Sequence, residues 1–239
     1  MEWCTISIIG LVVAVVFYLF WVGLFKSMHI VKAKFSATDA FYKPYKGTYD
    51  QALAPIFEEV YQDIQTNILA YKAYSRNGSK TFGIFYDDPK LFPGCKQLRA
   101  EVGFLCSMTQ LLNSEKERLL KEMKDKGFSH TTFKDTEWYH ETFPIKFPIF
   151  VGYVLAAMKF YPALMREFEN NPKTMEIIRG ENINQDKVDK SHSGANKYGI
   201  MEVYDCNQVL FYAPLENCKD FYLTNYDPPK ITGDKDKTE

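Results

Sequence analysis

The longest apolar pattern in the chain comes first: from Thr5 to Phe25 there are 21 residues without a charge. At 1.5 Å rise per residue, a helix of that length extends about 31 Å, the thickness of a bilayer's hydrocarbon core. Behind it the period changes. Residues 30 to 35 read as a strand, and a Gly/Pro/Tyr-rich turn region follows to Gly47. Leu53, Phe57, Val60 and Ile64 then recur at helical intervals behind a capping-box spacing, Thr48 with Gln51, while Pro55 either kinks this helix or begins its regular part. Alternation returns at 81 to 86 and again at 98 to 102, with Asp87-Asp88-Pro89 and Pro93-Gly94 breaking the chain between them.

A second capping-box spacing, Ser114 with Glu117, opens an amphipathic helix with the stripe Leu119, Leu120, Met123 and a stop at Gly127. Residues 128 to 133 and 138 to 143 read as strands. Residues 149 to 168 read as a long helix with Val154, Met158, Leu164 and Phe168 inward, and 198 to 204 with 208 to 212 as a closing hairpin. The stretch 169 to 197, rich in Asn, Lys, Asp and Gly, reads as a surface insertion, and residues 227 to 239 as a flexible charged tail. The first half runs β, α, β, β, and the second half also places a long helix before two strands. The pattern predicts an α+β domain over 26 to 226 built from two pseudo-duplicated modules, with a short N-terminus at 1 to 4 and a transmembrane helix at 5 to 25.

Composition narrows the function classes. A formal net charge of −1 with 46% hydrophobic and 16% aromatic residues excludes a disordered chain and a basic nucleic-acid footprint, so no direct nucleic-acid partner is expected. Only Glu2 precedes the apolar run, whereas Lys26, Lys32, Lys34, Lys43 and Lys46 follow it, which predicts a cytosolic domain. The start Met1-Glu2-Trp3, and the lack of Ala-x-Ala after Phe25, favour a retained single-pass anchor over a cleaved signal peptide. Cys4, Cys95, Cys106, Cys206 and Cys218 show neither CxxC nor zinc spacing and read as thiols of a reducing compartment. The contrary sign is Asn77-Gly78-Ser79, a glycosylation sequon that matters only for a luminal domain.

Signatures of catalysis are sparse. The sequence holds no G-x-S-x-G elbow, no H-E-x-x-H and no Gly-rich phosphate loop, and His29, His130, His140 and His192 lack metal-ligand spacing. His140 and Glu141 are adjacent on a strand and so point to opposite faces. No catalytic residue, metal ligand or cofactor is assigned. The string Phe57-Glu58-Glu59-Val60 has the aromatic-x-x-aliphatic form of an autophagy-receptor peptide, but its helical period places Phe57 and Val60 on a packed face.

A series of short strings points to a family: Phe85-Tyr86-Asp87-Asp88-Pro89, Ala100-Glu101-Val102-Gly103, Thr142-Phe143-Pro144, Tyr161-Pro162-Ala163-Leu164, Met201-Glu202-Val203-Tyr204 and Tyr212-Ala213-Pro214-Leu215. In this order they resemble the testis-expressed protein 264 family, from the anchor to about residue 223. The resemblance implies an endoplasmic-reticulum membrane anchor and a cytosolic gyrase-inhibitor-like (GyrI-like) domain of two β-α-β-β modules around a central cleft. It also implies an adaptor or receptor role, linked to selective autophagy of the endoplasmic reticulum (reticulophagy) or to p97 at DNA–protein crosslinks. The family's autophagy motif sits in a long tail, and here no Trp, Phe or Tyr follows Asp227. In bacterial relatives of the domain the cleft takes flat or cationic small molecules between aromatic walls over one carboxylate. The matching carboxylate is Glu202, and Trp138, Tyr139, Tyr86 and Tyr212 are the candidate walls. The alternative implied function is a small-molecule sensor or hydrolase using the same acidic aromatic cleft.

Overall fold

The computed structural model describes residues 2–49, 53–66, 80–87, 89, 94–109, 111–147, 149–171, 199–205, 207–214 and 223. In chain order these form α1 (Glu2–Trp21), β1 (Val31–Phe35), β2 (Thr38–Gly47), α2 (Ala54–Thr66), β3 (Lys80–Phe85) and β4 (Leu98–Cys106). Then come α3 (Asn113–Asp125), β5 (Ser129–Phe133), β6 (Thr136–Pro144), α4 (Ile149–Asn170), β7 (Ile200–Asp205) and β8 (Gln208–Pro214). The sequon at Asn77, most of the polar insertion and the tail lie outside the described residues.

All eight strands join one antiparallel sheet in the order β1-β6-β8-β7-β3-β4-β2-β5. The order contains a repeat. The unit β2-α2-β3-β4 lays its strands side by side as β3-β4-β2, and the unit β6-α4-β7-β8 lays its strands as β7-β8-β6, so two β-α-β-β modules meet through β3 and β7. The α+β duplication read from the pattern is present, with one correction. The first strand of the first module is β2, a segment read as turn, while the strand read at 30 to 35 pairs with β6 and extends the second module. β2 escaped the pattern because Ala40, Phe41, Tyr42 and Tyr45 are all buried, which removes the apolar/polar alternation, and because it contains Pro44. Pro44 sits past Tyr42, the last residue of β2 paired with β5, where among the described residues one side of the strand has no partner strand.

Helices cover one face of the sheet. α2 buries Val60 and Ile64 against Phe41, Val102 and Phe104, and α3 adds Leu119 and Met123. The N–H of Leu112 donates to Glu115 Oε2 at 2.9 Å, so α3 opens with half a capping box, two residues earlier than the Ser114–Glu117 reading. α4 buries Ala156, Phe160, Leu164 and Phe168, with the Phe160 ring stacked on Phe211 at 4.1 Å. Val154 and Met158, read as inward, are exposed. The buried ridge steps by four through Gly152, Ala156, Phe160, Leu164 and Phe168, and its small members brought the helix onto the sheet without announcing the phase in the apolar pattern. On the other face Phe35, Tyr42, Phe82, Ile84, Tyr86, Trp138, Met201 and Val203 form a separate cluster. Leu223 lies across it: its N–H donates to Tyr86 Oη at 3.3 Å, and its carbonyl accepts from Tyr42 Oη at 3.1 Å.

Helix α1 projects from this body, with Ile6, Ile9, Val13, Phe17 and Phe20 all exposed. Among the described residues no helix is long and apolar enough to cross a membrane. α1, Glu2–Trp21, holds most of the apolar run read from the sequence as a span over residues 5 to 25. Just past its end stands Gly23, whose φ of 89° is open to glycine and which lies so close to the Phe143 ring that a Cβ would meet it at 2.9 Å. Past that point the chain is tied to β6 and α4. Lys26 Nζ donates to the Thr142 carbonyl and pairs with Glu141 at 3.4 Å, the His29 N–H donates to Glu141 Oε2 at 2.5 Å, and Lys159 Nζ donates to the Lys26 carbonyl at 2.9 Å.

Candidate ligand-binding site

β7 occupies the middle of the sheet, and alternation along it decides what it offers to each face. Glu202 stands opposite Gly83 on β3 and Phe211 on β8, on the face covered by helices and between α2 and α4. Tyr204, two residues on, shares that face. Tyr204 Oη donates to Glu202 Oε2 at 2.8 Å, and Tyr161 Oη, reaching down from α4, donates to Oε1 at 2.7 Å. Phe57 of α2 and Tyr153 of α4 each meet the Tyr204 ring edge-on, at 5.1 and 5.4 Å. Gly83 makes room for this: a Cβ there would stand 2.8 Å from the Phe85 ring and 3.1 Å from Phe57. The result is a single carboxylate on the sheet floor with rings from α2, α4 and β7 around it.

The carboxylate is half-buried and crowded, which sets its electrostatics. Desolvation raises the Glu202 pKa above the ordinary 4.5, and the hydrogen bonds from Tyr161 and Tyr204 oppose that rise without cancelling it. Both tyrosine hydroxyls are pushed well above their ordinary range, first by burial and then by the charge of Glu202, so they remain donors at neutral pH. Asp87, Glu59 and Asp63 each have a cation. Asp87 grips Arg99 at 2.6 Å, and Lys43 bridges Glu59 and Asp63 at 2.7 and 3.2 Å. Among the described residues no Lys, Arg or His pairs with Glu202. A partly desolvated anion among ring faces attracts a cation with an apolar body, because the rings and the carboxylate both favour the charge while the rings bury its hydrocarbon.

The structure rearranges the walls read from the sequence. Trp138, Tyr86 and Tyr212 do not face Glu202; they belong to the cluster on the opposite face of the sheet. The register requires it: Tyr212 pairs with Met201, one residue off Glu202, and is therefore directed to the other side. Tyr139 is on the same face as Glu202 but is buried under α4, with its ring 5.6 Å from Phe168. The rings that do gather at Glu202 are Tyr161, Tyr204, Tyr153 and Phe57. Tyr204 was legible as the residue two along the strand, and Tyr161 lay within a string already noted for its resemblance. Phe57 and Tyr153 gave no signal beyond helical period. His140 and Glu141 point apart: the His140 ring stacks on Tyr212 at 4.6 Å, and Glu141 faces Lys26. Among the described residues no group of His, Cys, Asp and Glu could hold a metal.

No family model and no curated protein matches this sequence. Solved structures give loose likenesses. The C-terminal domain of EcmrR is 8% identical, over 80% of this chain and 98% of that domain, with a TM-score of 0.44. SAV2435, solved bound to tetraphenylphosphonium, is 10% identical over 80% of this chain and 95% of its own, with a TM-score of 0.38. A hydrolase from Listeria innocua is 10% identical over 79% and 93%, with a TM-score of 0.39. Likenesses this distant leave the geometry around Glu202 as the ground for any function.

Proposed function

We propose that this chain is a single-pass membrane protein whose GyrI-like domain, on the cytosolic side of the endoplasmic reticulum, binds a small lipophilic cation over Glu202. The observation behind the ligand is the half-buried carboxylate held by two tyrosine hydroxyls, ringed by aromatics and without a cation of its own among the described residues. The observation behind the anchor is α1, apolar on every side and exposed on every side, a helix that water does not favour. The lysines after Phe25 support the cytosolic side, and the organelle rests on the family resemblance. The adaptor role, with p97 or the autophagy machinery as partner, has that resemblance alone behind it. Phe57-Glu58-Glu59-Val60 does not add to it, because Val60 is buried within α2 and Phe57 packs on Tyr204.

Tetraphenylphosphonium is a suitable probe, a lipophilic cation of the kind such an enclosure would take. Equilibrium dialysis of the full chain in detergent micelles should show saturable binding. Glu202→Gln should weaken it about tenfold or more, a loss of roughly 1.4 kcal/mol, while Glu137→Gln, at an exposed position, leaves it unchanged. Binding should also weaken as pH falls and Glu202 takes up its proton. Equal affinity in wild type and Glu202→Gln defeats the assignment.

A further inference from the structure

The corner where β6 hands over to α4 is apolar and uncovered. Phe147 is 76% exposed and Ile149 is 53% exposed, and the sequence from Phe147 to Met158 contains no charge. Scattered exposed apolar residues need no explanation, but this pair has a particular neighbour. Lys146 Nζ, next to Phe147 in the chain, lies 5.7 Å from the ring centroid of Trp21 at the end of α1. Just behind, Val22 is 1% exposed, and Gly23 rests on the Phe143 ring. With the Lys26–Glu141 pair and the Lys159–Lys26 hydrogen bond, these contacts fix the end of α1 to the corner as one junction. Whatever medium surrounds the last turn of α1 therefore reaches Phe147 and Ile149 as well.

We infer that Phe147 and Ile149 form a second membrane contact, set into the headgroup–acyl boundary beside the anchor, with lipid as the occupant. The inference rests on α1 being a membrane span. Lys146 suits the depth, since a lysine beside an aromatic ring at the boundary can keep its ammonium among the lipid phosphates while its stem stays apolar. The contact would fix how the domain stands on the bilayer. Tyr153 follows Ile149 by one turn of α4, about 6 Å along the axis, so the enclosure around Glu202 would open near the membrane surface. Lipophilic cations concentrate there, drawn by apolar lipid and by anionic headgroups.

The test is photo-crosslinking of the full chain in phosphatidylcholine vesicles. Phe147, Phe17, Val31 and Leu112 are each replaced in turn by p-benzoylphenylalanine, and adducts are read by mass spectrometry. All four side chains are exposed, so the replacements leave the core intact. Lipid adducts are expected at 17 and at 147, and none at 112, far along the chain, or at 31, close behind the anchor but outside the corner. Lipid at 17 without lipid at 147 overturns this inference and leaves the anchor standing. No lipid at 17 overturns the anchor itself. Adducts at 147 to a second copy of the chain, in place of lipid, assign the corner to self-association and also overturn the inference.

Discussion

The two modules share a strand order and differ at their meeting point. A two-fold operation that exchanges β3 with β7 also exchanges the pair Thr81–Tyr204 with the pair Phe85–Ile200, and it sets Gly83 against Glu202, which face each other across the joint. Followed outward through the registers, Val102 corresponds to Phe211 and Lys43 to Glu141. Each matched position has been put to a different use. Lys43 holds two acids, on α2, within its own module, whereas Glu141 holds Lys26 and the His29 N–H of the segment that leads from α1. At the axis, one module supplies a residue with no side chain and the other supplies a carboxylate. The repeat therefore builds the platform, and the site arises where the repeat is broken: the glycine admits the rings of Phe57 and Phe85, and the glutamate brings the charge.

The largest expected effect probes whether the modules fold as one unit. Phe160→Ala removes a fully buried ring stacked on Phe211 in the second module and should cost about 4 kcal/mol in equilibrium denaturation. Because β3 and β7 are hydrogen-bonded neighbours in one continuous sheet, the loss should appear as a single shifted transition read by any probe. Two separated transitions, with only the second module weakened, would mean that the joint is too soft to couple them and that the halves are independent domains.

Gly83→Ala is smaller and sharpens the broken symmetry. Its methyl group would press on the Phe85 and Phe57 rings at distances that require them to shift, at about 1 to 2 kcal/mol, against a gain of up to about 1 kcal/mol from replacing glycine in a strand. The net fall in stability should be under about 2 kcal/mol, yet binding of tetraphenylphosphonium should weaken, because the rings that bound the enclosure have moved. Unchanged binding together with reduced stability would show that Gly83 serves packing alone.

Several of these features were open to sequence reasoning and others were not, for physical reasons. The helices at Ala54–Thr66, Asn113–Asp125 and Ile149–Asn170 were visible because each has one packed face. β2 was hidden because both of its faces are buried. In α4 the inward ridge includes Gly152 and Ala156, while Val154 and Met158 face outward, so apolarity misreported the phase. Glu202 could be singled out, but on which face of the sheet it stood depended on cross-strand register, which local alternation does not contain. With Ile200 and Tyr204 on one side and Met201 and Val203 on the other, both sides of β7 looked equally apolar.

The smallest effect tests the charge at the axis by its pH dependence. The folded-state pKa of Glu202 lies above the ordinary 4.5, chiefly through desolvation. Below 4.5 the carboxyl is protonated in both the folded and the unfolded chain, and no penalty exists. As pH rises from 4.5 towards the raised folded value, the unfolded chain releases its proton first, so stability is lost across that window and stays lost above it. Glu202→Gln removes the titration and keeps a group that can accept from one tyrosine and donate to the other. Its melting temperature should therefore exceed that of wild type at neutral pH, by an amount worth no more than about 1 kcal/mol, and the difference should vanish as pH falls to 4.5 and below. A lower melting temperature for the variant at neutral pH would show that the two charge-assisted tyrosine bonds outweigh desolvation. The glutamate would then contribute to stability where the two modules join, and the site would lose the strain expected of a carboxylate waiting for a cation.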